Sequence, residues 1–335
     1  MPESFTDYFK SLFKSKDKEK KKDNYLLHIG LFIVTFFTTT IAGVQWTTGQ
    51  IGPYELDTLL KGLPYSISIM TIISFHEFGH FFAAKFHRIK ATFPYYIPFP
   101  PTPYFINFGT MGAVIRTRSR IYSRKAMFDV GVAGPLAGFA ACIVILIYGF
   151  TNVPGTDYIL SIHPDYFQPE FGQNDISLVF GDSILFSFLR SIFADQSAFF
   201  PPMTEVYHYP FLCVGWFGLF ITSMNMIPVG QLDGGHISYT MFGDENSFKI
   251  SAIAFIILFV LGLMGIVDAT MEFGLGIGWS GWLFWALVLY FIIKLKHPPV
   301  PDPVPLDKRR MIIGYFAFFI FFISFSPAPI MLTLP

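Results

Sequence analysis

Residues 65–87 read YSISIMTIISFHEFGHFFAAKFH, an apolar run that contains His76, His80, one glutamate between them and a third histidine at its end. A helix that crosses a bilayer needs about 20 mostly apolar residues, so this run is long enough to span one. Positions i and i+4 lie on one helix face, so His76 and His80 can offer two imidazoles to one tetrahedral zinc ion. Glu77 lies beside them, where a carboxylate can take a proton from a metal-bound water. Because ionisable groups are costly inside a membrane, the cluster indicates a functional metal site.

A later segment offers the third protein ligand that a catalytic zinc ion usually takes. Residues 225–234 read NMIPVGQLDG, and Asp233 is the only acidic residue among them. Pro228 and Gly230 predict an interruption of the helix, because proline and glycine are poor residues for a helix interior. Unwound backbone at membrane depth is tolerated where it is buried or lines a cavity. We therefore expect Asp233 to face a cavity as the third ligand.

The HEFGH motif and the segment 225–234 are predicted to lie at similar depths in the membrane. His80 precedes Arg88 by eight residues, which places it about 12 Å from that end of its helix at a rise of 1.5 Å per residue. Asp233 precedes Asp244 by eleven residues, which corresponds to about 16 Å by the same rise. Both segments run in the same direction, so we expect the His80 imidazole and the Asp233 carboxylate to meet.

The composition is that of a membrane protein. Of the 335 residues, 53% are hydrophobic and only 14% are charged. A soluble domain carries roughly 25% charged residues, so this chain has too little polar surface to cover a water-soluble globule. The formal net charge is +0, and we expect the lipid bilayer, and no nucleic acid, as a partner. Cys142 and Cys213 lie in apolar runs, which predicts packing residues rather than a disulfide.

Hydropathy predicts an all-α polytopic protein with about seven transmembrane segments. Cytoplasmic loops of membrane proteins carry an excess of lysine and arginine. If the N-terminus is cytoplasmic and the segments alternate, only Lys61 and Arg190 fall on the outer side. The pattern therefore predicts a cytoplasmic N-terminus. The membrane that we expect is the cytoplasmic (inner) membrane of a bacterium. The predicted segments are 25–47, 65–87, 126–150, 208–242, 250–267, 279–296 and 311–328.

The two motifs together resemble those of the site-2 protease family of intramembrane zinc metalloproteases. The resemblance rests on HEFGH at 76–80 and on the pattern NxxPxxxLDG at 225–234. Residues 133–138, AGPLAG, are similar to the third helix of that family. Residues 93–103 and 108–115 look closest to the branch that lacks a PDZ domain.

The resemblance implies a role for each residue of the motifs. It implies that His76, His80 and Asp233 hold one zinc ion per chain and that Glu77 is the catalytic base. Asn225 matches the family asparagine that holds the substrate backbone or the developing oxyanion. The implied reaction is hydrolysis of peptide bonds in membrane-spanning substrates, either in regulated intramembrane proteolysis or in clearance of signal-peptide remnants.

The resemblance also implies a short re-entrant β-hairpin around 105–115, where Gly109 and Gly112 allow a tight turn. A helical substrate hides its carbonyl groups in hydrogen bonds, so it has to unwind before attack. A free strand edge near the metal would hold the extended chain by strand addition. The predicted division of the chain is a basic cytoplasmic tail (1–24), a first segment with an outer loop (25–64), an intramembrane metalloprotease core (65–242) and C-terminal segments (243–335).

Two other classes of membrane zinc protein carry a similar helix. A ZIP-like zinc transporter also has the pattern HExxH, but it would usually continue with an acidic residue where this chain has Phe81. It also needs further metal-binding residues along a pathway. A prenyl-protein endopeptidase takes a glutamate as third ligand, whereas the later candidate here is Asp233. The residue at position 81 and the absence of pathway residues favour the protease over the alternative of a ZIP-like transporter. The aspartate favours it over the prenyl-protein endopeptidase.

Several further residues are predicted to have supporting roles. The small residues Gly131, Gly134 and Gly138 predict close packing between helices. His236 is expected either to support the Asp233 carboxylate or to face a polar loop. Asp129 is expected to cap a helix or to pair with an arginine.

The remaining histidines and the outer loop are predicted to lie outside the zinc site. His163, His208 and His297 lie near span ends or in loops, where histidines are usually not metal ligands. Residues 177–193 are predicted to form a helix at the membrane interface.

Overall fold

The computed structural model describes residues 24–100, 107–172, 177–271 and 276–333. The basic tail predicted at 1–24 lies outside these residues except for Asn24, whose side chain caps the first helix by accepting from the Leu27 N–H. The described chain is mostly helical. The helices are α1 (Tyr25–Thr48), α2 (Leu56–Lys61), α3 (Leu63–Phe86), α4 (Arg124–Thr151), α5 (Thr156–Ile162), α6 (Ile184–Phe193), α7 (Pro210–Met226), α8 (Asp233–Met271), α9 (Gly281–Leu287) and α10 (Lys308–Ser324).

Each of the predicted membrane segments falls on a helix or on a pair of helices. Among the described residues, α1, α3, α4 and α8 are long and apolar enough to cross a membrane. The chain is therefore an integral membrane protein. Helix α7 is apolar but only 17 residues long, and α9 continues as a π-helix, Val288–Ile293. The count of seven segments and the division into four regions stay predictions.

Helix α8 contains a sharp break. Its residue Gly243 has φ 82° and ψ 177°, which are not helical angles. A positive φ of this kind is easily adopted only by glycine. The break separates the end of the predicted segment 208–242 from the start of the predicted segment 250–267.

Helix α4 lies at the centre of the bundle, where it packs against α3, α7 and α8. Small residues allow this close approach. A Cβ atom at Gly79 of α3 would lie 2.5 Å from the Ala133 carbonyl oxygen of α4. On the other side, a Cβ at Gly215 of α7 would lie 2.3 Å from Leu146 Cδ2. Among the glycines predicted for close packing, a Cβ at Gly131 would lie 3.0 Å from His236 Cβ, and Gly134 and Gly138 are described with the site below.

Two antiparallel strand pairs accompany the helices. Strand β1 (Tyr95–Pro98) pairs with β2 (Thr110–Val114), with Tyr95 opposite Val114 and a register shift between Tyr96 and Pro98. The hairpin is thus present, but its first strand lies upstream of the predicted 105–115. Residues 101–106 in its connection lie outside the described chain.

The second strand pair was not predicted. Strand β3 (Ser177–Phe180) pairs with β4 (Ile330–Thr333), so the helix predicted at 177–193 begins only at α6. The backbone of Gly181 lies very close to the C-terminal segment. A Cβ atom added at Gly181 would lie 1.8 Å from the Ala328 carbonyl oxygen, so only glycine fits at this position. The Ser183 side chain then accepts from the Phe186 N–H and starts α6.

We call the two ends of the helix bundle the hairpin end and the loop end, after the segments found at each. At the hairpin end, α3 ends, α4 and α10 begin, and the strands β1 and β2 lie close by. At the loop end, α1 and α4 end, and residues 152–209 connect α4 to α7.

Candidate metal centre

The two histidines of the HEFGH motif face each other on α3. Their Nε2 atoms lie 3.1 Å apart, and the residues are only 9% and 8% exposed, in the order His76 and His80. His80 Nδ1 lies 2.7 Å from the Val130 carbonyl oxygen. A carbonyl only accepts, so Nδ1 carries the proton and the Nε2 lone pair points toward His76. This is the arrangement in which histidines ligate metals.

Asp233 reaches the same place from the first turn of α8. Its Oδ2 atom lies 3.3 Å from His76 Nε2 and 3.4 Å from His80 Nε2. The turn between α7 and α8 folds back tightly, with Gly230 at φ +53°. A Cβ at Gly234 would lie 2.0 Å from the Met226 carbonyl oxygen, so this return needs glycine after the aspartate. The interruption predicted from Pro228 and Gly230 is present.

The three ligand atoms fit a zinc ion. Bonds of about 2.0–2.1 Å in a tetrahedron put neighbouring ligand atoms about 3.3–3.4 Å apart. The observed separations are 3.1, 3.3 and 3.4 Å. Two imidazoles and one carboxylate are also a donor set that zinc prefers.

Glycines of α4 make room for the imidazoles. A Cβ at Gly134 would lie 2.1 Å from His80 Nε2, and one at Gly138 would lie 3.0 Å from His76 Cβ. The small residues that were predicted to pack helices therefore also determine where the histidine rings lie.

Glu77 lies in the same cavity and contacts the hairpin. Its Oε2 atom accepts a hydrogen bond from the Ile115 N–H at 2.9 Å, and the residue is 7% exposed. The cavity has a volume of ≈ 700 Å³, and the half-buried Asn225 lines its wall. Residues 111–115 of the hairpin form another part of the wall. The structure thus places all five predicted site residues around one cavity.

Comparison with known sequences assigns the chain to a family. The profile of peptidase family M50, the family of the site-2 proteases, matches residues 64–265. The chain belongs to peptidase family M50. The match covers α3, α4, α7 and most of α8, and therefore every residue of the candidate centre. No solved structure matches the chain.

Plant proteins are among the relatives of this M50 chain. It is 27% identical over 283 residues to the probable zinc metalloprotease EGY2, chloroplastic, of Oryza sativa subsp. indica, covering 84% of this chain and 45% of the relative. It is 32% identical over 243 residues to the probable zinc metalloprotease EGY1, chloroplastic, of Oryza sativa subsp. japonica, covering 70% of this chain and 36% of the relative. The M50 chain thus spans less than half the length of these relatives.

The family and the relatives test the predictions of the metal, of the alternative function and of the membrane. Membership of family M50 and the names of the relatives indicate zinc as the metal, and they do not support the ZIP-like transporter. The named relatives are chloroplastic, so the bacterial inner membrane has no support from them.

His236 was expected either to support the Asp233 carboxylate or to face a polar loop, and the structure pairs it with another histidine. His236 Nδ1 lies 2.7 Å from His297 Nε2, so this ring nitrogen pairs with another histidine and not with the Asp233 carboxylate. His297 is 5% exposed and stacks on the Tyr239 ring at 4.2 Å. It was predicted to lie near a span end or in a loop and not to be a metal ligand. The two histidines are 61 positions apart in the sequence, a spacing that gives no signal to connect them.

The hairpin end is held by a half-buried ion pair. Asp129 of α4 accepts hydrogen bonds from Arg310 of α10, at 2.6 Å from Nη2, and its Oδ2 lies 2.7 Å from His87 Nε2. The prediction that Asp129 pairs with an arginine is confirmed.

A second group of potential ligands lies at the loop end. Among the described residues, only two groups of three side chains bring ligand atoms within 4.8 Å of one another: the predicted site, and His163, Glu205 and His208. Burial raises the pKa of the Glu205 carboxyl to about 7. The spacing of Glu205 and His208, an i,i+3 pair, was a sequence signal for this group, since Glu-x-x-His pairs occur in metal sites.

Proposed function

We propose that this M50 chain is a zinc endopeptidase that cleaves protein substrates within or at the edge of the membrane. One observation carries the proposal. Three ligand atoms at tetrahedral spacing, a buried glutamate and an edge of a β-strand all border the same ≈ 700 Å³ cavity. A peptidase needs these three elements together: a metal ligand set, a proton acceptor and a surface that holds an extended chain.

His76, His80 and Asp233 would hold one zinc ion at this site. When bound, zinc supplies a Lewis acid that polarises a carbonyl group and lowers the pKa of water. The hydrogen bond from His80 Nδ1 to the Val130 carbonyl fixes the ring with Nε2 facing the centre. The protein contributes a preformed ligand set, because the helix spacing and the glycines of α4 already place the rings.

Glu77 would act as the general base and acid. It accepts a proton from the attacking water as the new C–O bond forms, and it delivers that proton to the leaving amine as the C–N bond breaks. Its hydrogen bond with the Ile115 N–H orients the carboxylate and links it to the hairpin. Asn225 would donate from its amide to the carbonyl oxygen as negative charge develops there.

Strand β2 would hold the substrate. Among the described strands it pairs only with β1, so its other edge is free. Backbone groups two residues apart point to the same side of a strand. Ile115 donates toward Glu77, away from β1, so the Ala113 N–H also points to the free edge. A substrate segment added along this edge would lie extended beside Glu77.

The hairpin end would face the cytoplasm. Among the described residues, all lysines and arginines lie toward this end except Lys61 and Arg190. By the positive-inside rule, the N-terminus and the cavity mouth would then lie on the cytoplasmic side. The proposed substrate is a membrane-anchored protein with a transmembrane helix. The bacterial inner membrane stays a prediction from the sequence.

The proposal is tested by mass spectrometry of the products. The purified chain is reconstituted in liposomes with a peptide that contains one transmembrane helix, in water enriched in ¹⁸O. We expect two fragments, cut within or beside the apolar segment, with ¹⁸O in the new carboxyl group. A His76→Ala sample serves as the control and should leave the peptide intact. An intact peptide with the zinc-loaded wild type, together with zinc uptake into the liposomes, would contradict the proposal and favour a transporter.

A further inference from the structure

The group at the loop end has the geometry of a second metal site. His163 Nε2 lies 3.0 Å from His208 Nε2, and Glu205 Oε2 lies 3.6 Å and 3.5 Å from these two atoms. A tetrahedral zinc ion with bonds of about 2.0–2.2 Å separates its ligand atoms by about 3.3–3.6 Å. The three atoms therefore surround a space the size of one metal ion.

Hydrogen bonding fixes the tautomer of His208 in the form that a metal needs. Its Nδ1 lies 3.2 Å from the Thr47 carbonyl oxygen, which can only accept, so Nδ1 carries the proton. The Nε2 lone pair then points at His163 and Glu205. Ligating histidines almost always donate their other N–H to a carbonyl or carboxylate in this way.

Glu205 supplies an independent indication of a ligand. The residue is 6% exposed, and among the described residues its Oε2 atom has no hydrogen-bond partner. A buried carboxylate oxygen without a donor is costly. His163 and His208 can satisfy each other through their Nε2 atoms, but this pairing leaves Glu205 Oε2 without a partner. A cation at the centre would be a partner for all three atoms.

We infer that His163, Glu205 and His208 form a second divalent-metal site, of the zinc class, that joins two segments of the loop end. His163 ends α5, whereas Glu205 and His208 lie in the turn that leads into α7. Glu205 and His208 are nearly fully buried, while the His163 side chain is 32% exposed. One side of the site is thus open to a water molecule as a fourth ligand. The inference does not depend on the proposed peptidase function, and it replaces the predicted one zinc ion per chain by two.

Metal content measured on the purified full chain tests the inference. The chain is loaded with zinc, dialysed against a weak chelator and analysed by mass spectrometry of the metal. Two complete ligand sets predict about two zinc ions per chain. His163→Gln and Glu205→Gln should each retain about one, because each change removes one ligand of the second set. The Glu205→Gln change keeps the size of the buried side chain.

Matched variants separate the two sites. His87→Gln alters a histidine that also pairs with a carboxylate but belongs to neither group, so it should retain the wild-type metal content. His76→Ala should lose the other zinc ion and keep the second one. A wild type that holds only about one zinc ion, lost in His76→Ala and kept in His163→Gln, would overturn the second site alone. If the single zinc ion is instead lost from His163→Gln and kept by His76→Ala, the result would overturn the metal site of the proposed peptidase centre. Since His163 is partly exposed, its variant is expected to fold.

Discussion

The two groups of two histidines and a carboxylate have nearly the same internal geometry and very different surroundings. Their ligand atoms are separated by 3.1–3.4 Å at the hairpin end and by 3.0–3.6 Å at the loop end. At the hairpin end, Glu77 lies next to the ligands and a ≈ 700 Å³ cavity opens beside them. Glu205, by contrast, is itself a ligand in the proposed loop-end site, and that site joins loop segments rather than bordering a strand edge.

The different surroundings of the two groups indicate what a set of metal ligands needs in order to be a catalytic centre. Three donor atoms at the right spacing are enough to bind a metal ion. Hydrolysis also needs a separate proton acceptor and space for the substrate. In the proposed centre, Glu77 and the cavity between α3, β2 and α8 would provide both. The expected consequence is that changes at the hairpin end affect turnover, whereas changes at the loop end affect stability.

The largest effect is expected from removing a ligand at the hairpin end. His80→Ala leaves two protein ligands, so zinc at this site should be lost and cleavage of a transmembrane reporter should fall by more than about 100-fold, the upper range for residues that only support ligands. Metal content and cleavage rate are measured on the same sample. Retention of both would show that the hairpin-end group is not the active centre.

Gly134→Ala should have the next largest effect. The new Cβ would lie 2.1 Å from His80 Nε2, so the imidazole has to move. Displacing a ligand in this way should lower zinc affinity or turnover by about 10–100-fold, as changes around ligands do. Gly30→Ala is the matched control, because a Cβ there meets no described atom within 4 Å. Equal activity of both variants would contradict the role of Gly134 in placing the ring.

A smaller effect is expected at the strand edge. Ala113→Pro removes an N–H that points to the free edge of β2, so one hydrogen bond to an extended substrate is lost. A loss of about 1 kcal/mol corresponds to a roughly fivefold lower kcat/KM. Zinc content should stay unchanged, because no ligand moves. A substrate peptide with a glycine pair near the cleaved bond should be cut faster, since it costs less to unwind. Normal cleavage by the proline variant would mean that another element holds the substrate.

The smallest effect on turnover is expected at the loop end. His163→Gln should change the cleavage rate by less than about twofold, or about 0.4 kcal/mol in the activation barrier, because His163 does not line the ≈ 700 Å³ cavity. It should lower the melting temperature of the zinc-loaded protein, since a metal that binds only the folded chain stabilises it. Thermal unfolding with and without zinc measures this shift. A strong loss of turnover would mean that the two ends of the bundle are coupled.

The sequence predicted the hairpin-end centre because each of its signals is local. An i,i+4 pair on one helix, a neighbouring glutamate and a proline–glycine break before Asp233 can all be recognised without knowing the fold. The loop-end group could not be assembled in this way. His163 and His208 are 45 residues apart in the sequence, and only the tertiary fold brings them together.

Tertiary contacts also decided the details that the sequence missed. Strand β3 forms because the C-terminal segment supplies its partner β4, more than 150 residues later. His236 and His297, which form a pair in the structure, are also far apart in the sequence, at a separation of 61 positions. The roles of Gly134 and Gly138 were predicted only as helix packing, since the sequence does not reveal which side chains face them.

The central claim is that Glu77 works as the base of a centre whose metal is held by other residues. Zinc content and cleavage of a transmembrane reporter, measured together on Glu77→Gln, test it most directly. Glu245→Gln, a change of an exposed glutamate, is the control and should behave as the wild type. We predict that Glu77→Gln keeps its zinc, because the ligands are unchanged, and cleaves about 10²–10⁴-fold more slowly, because the amide cannot accept a proton. Cleavage at the wild-type rate, or loss of zinc from this variant, would contradict the account.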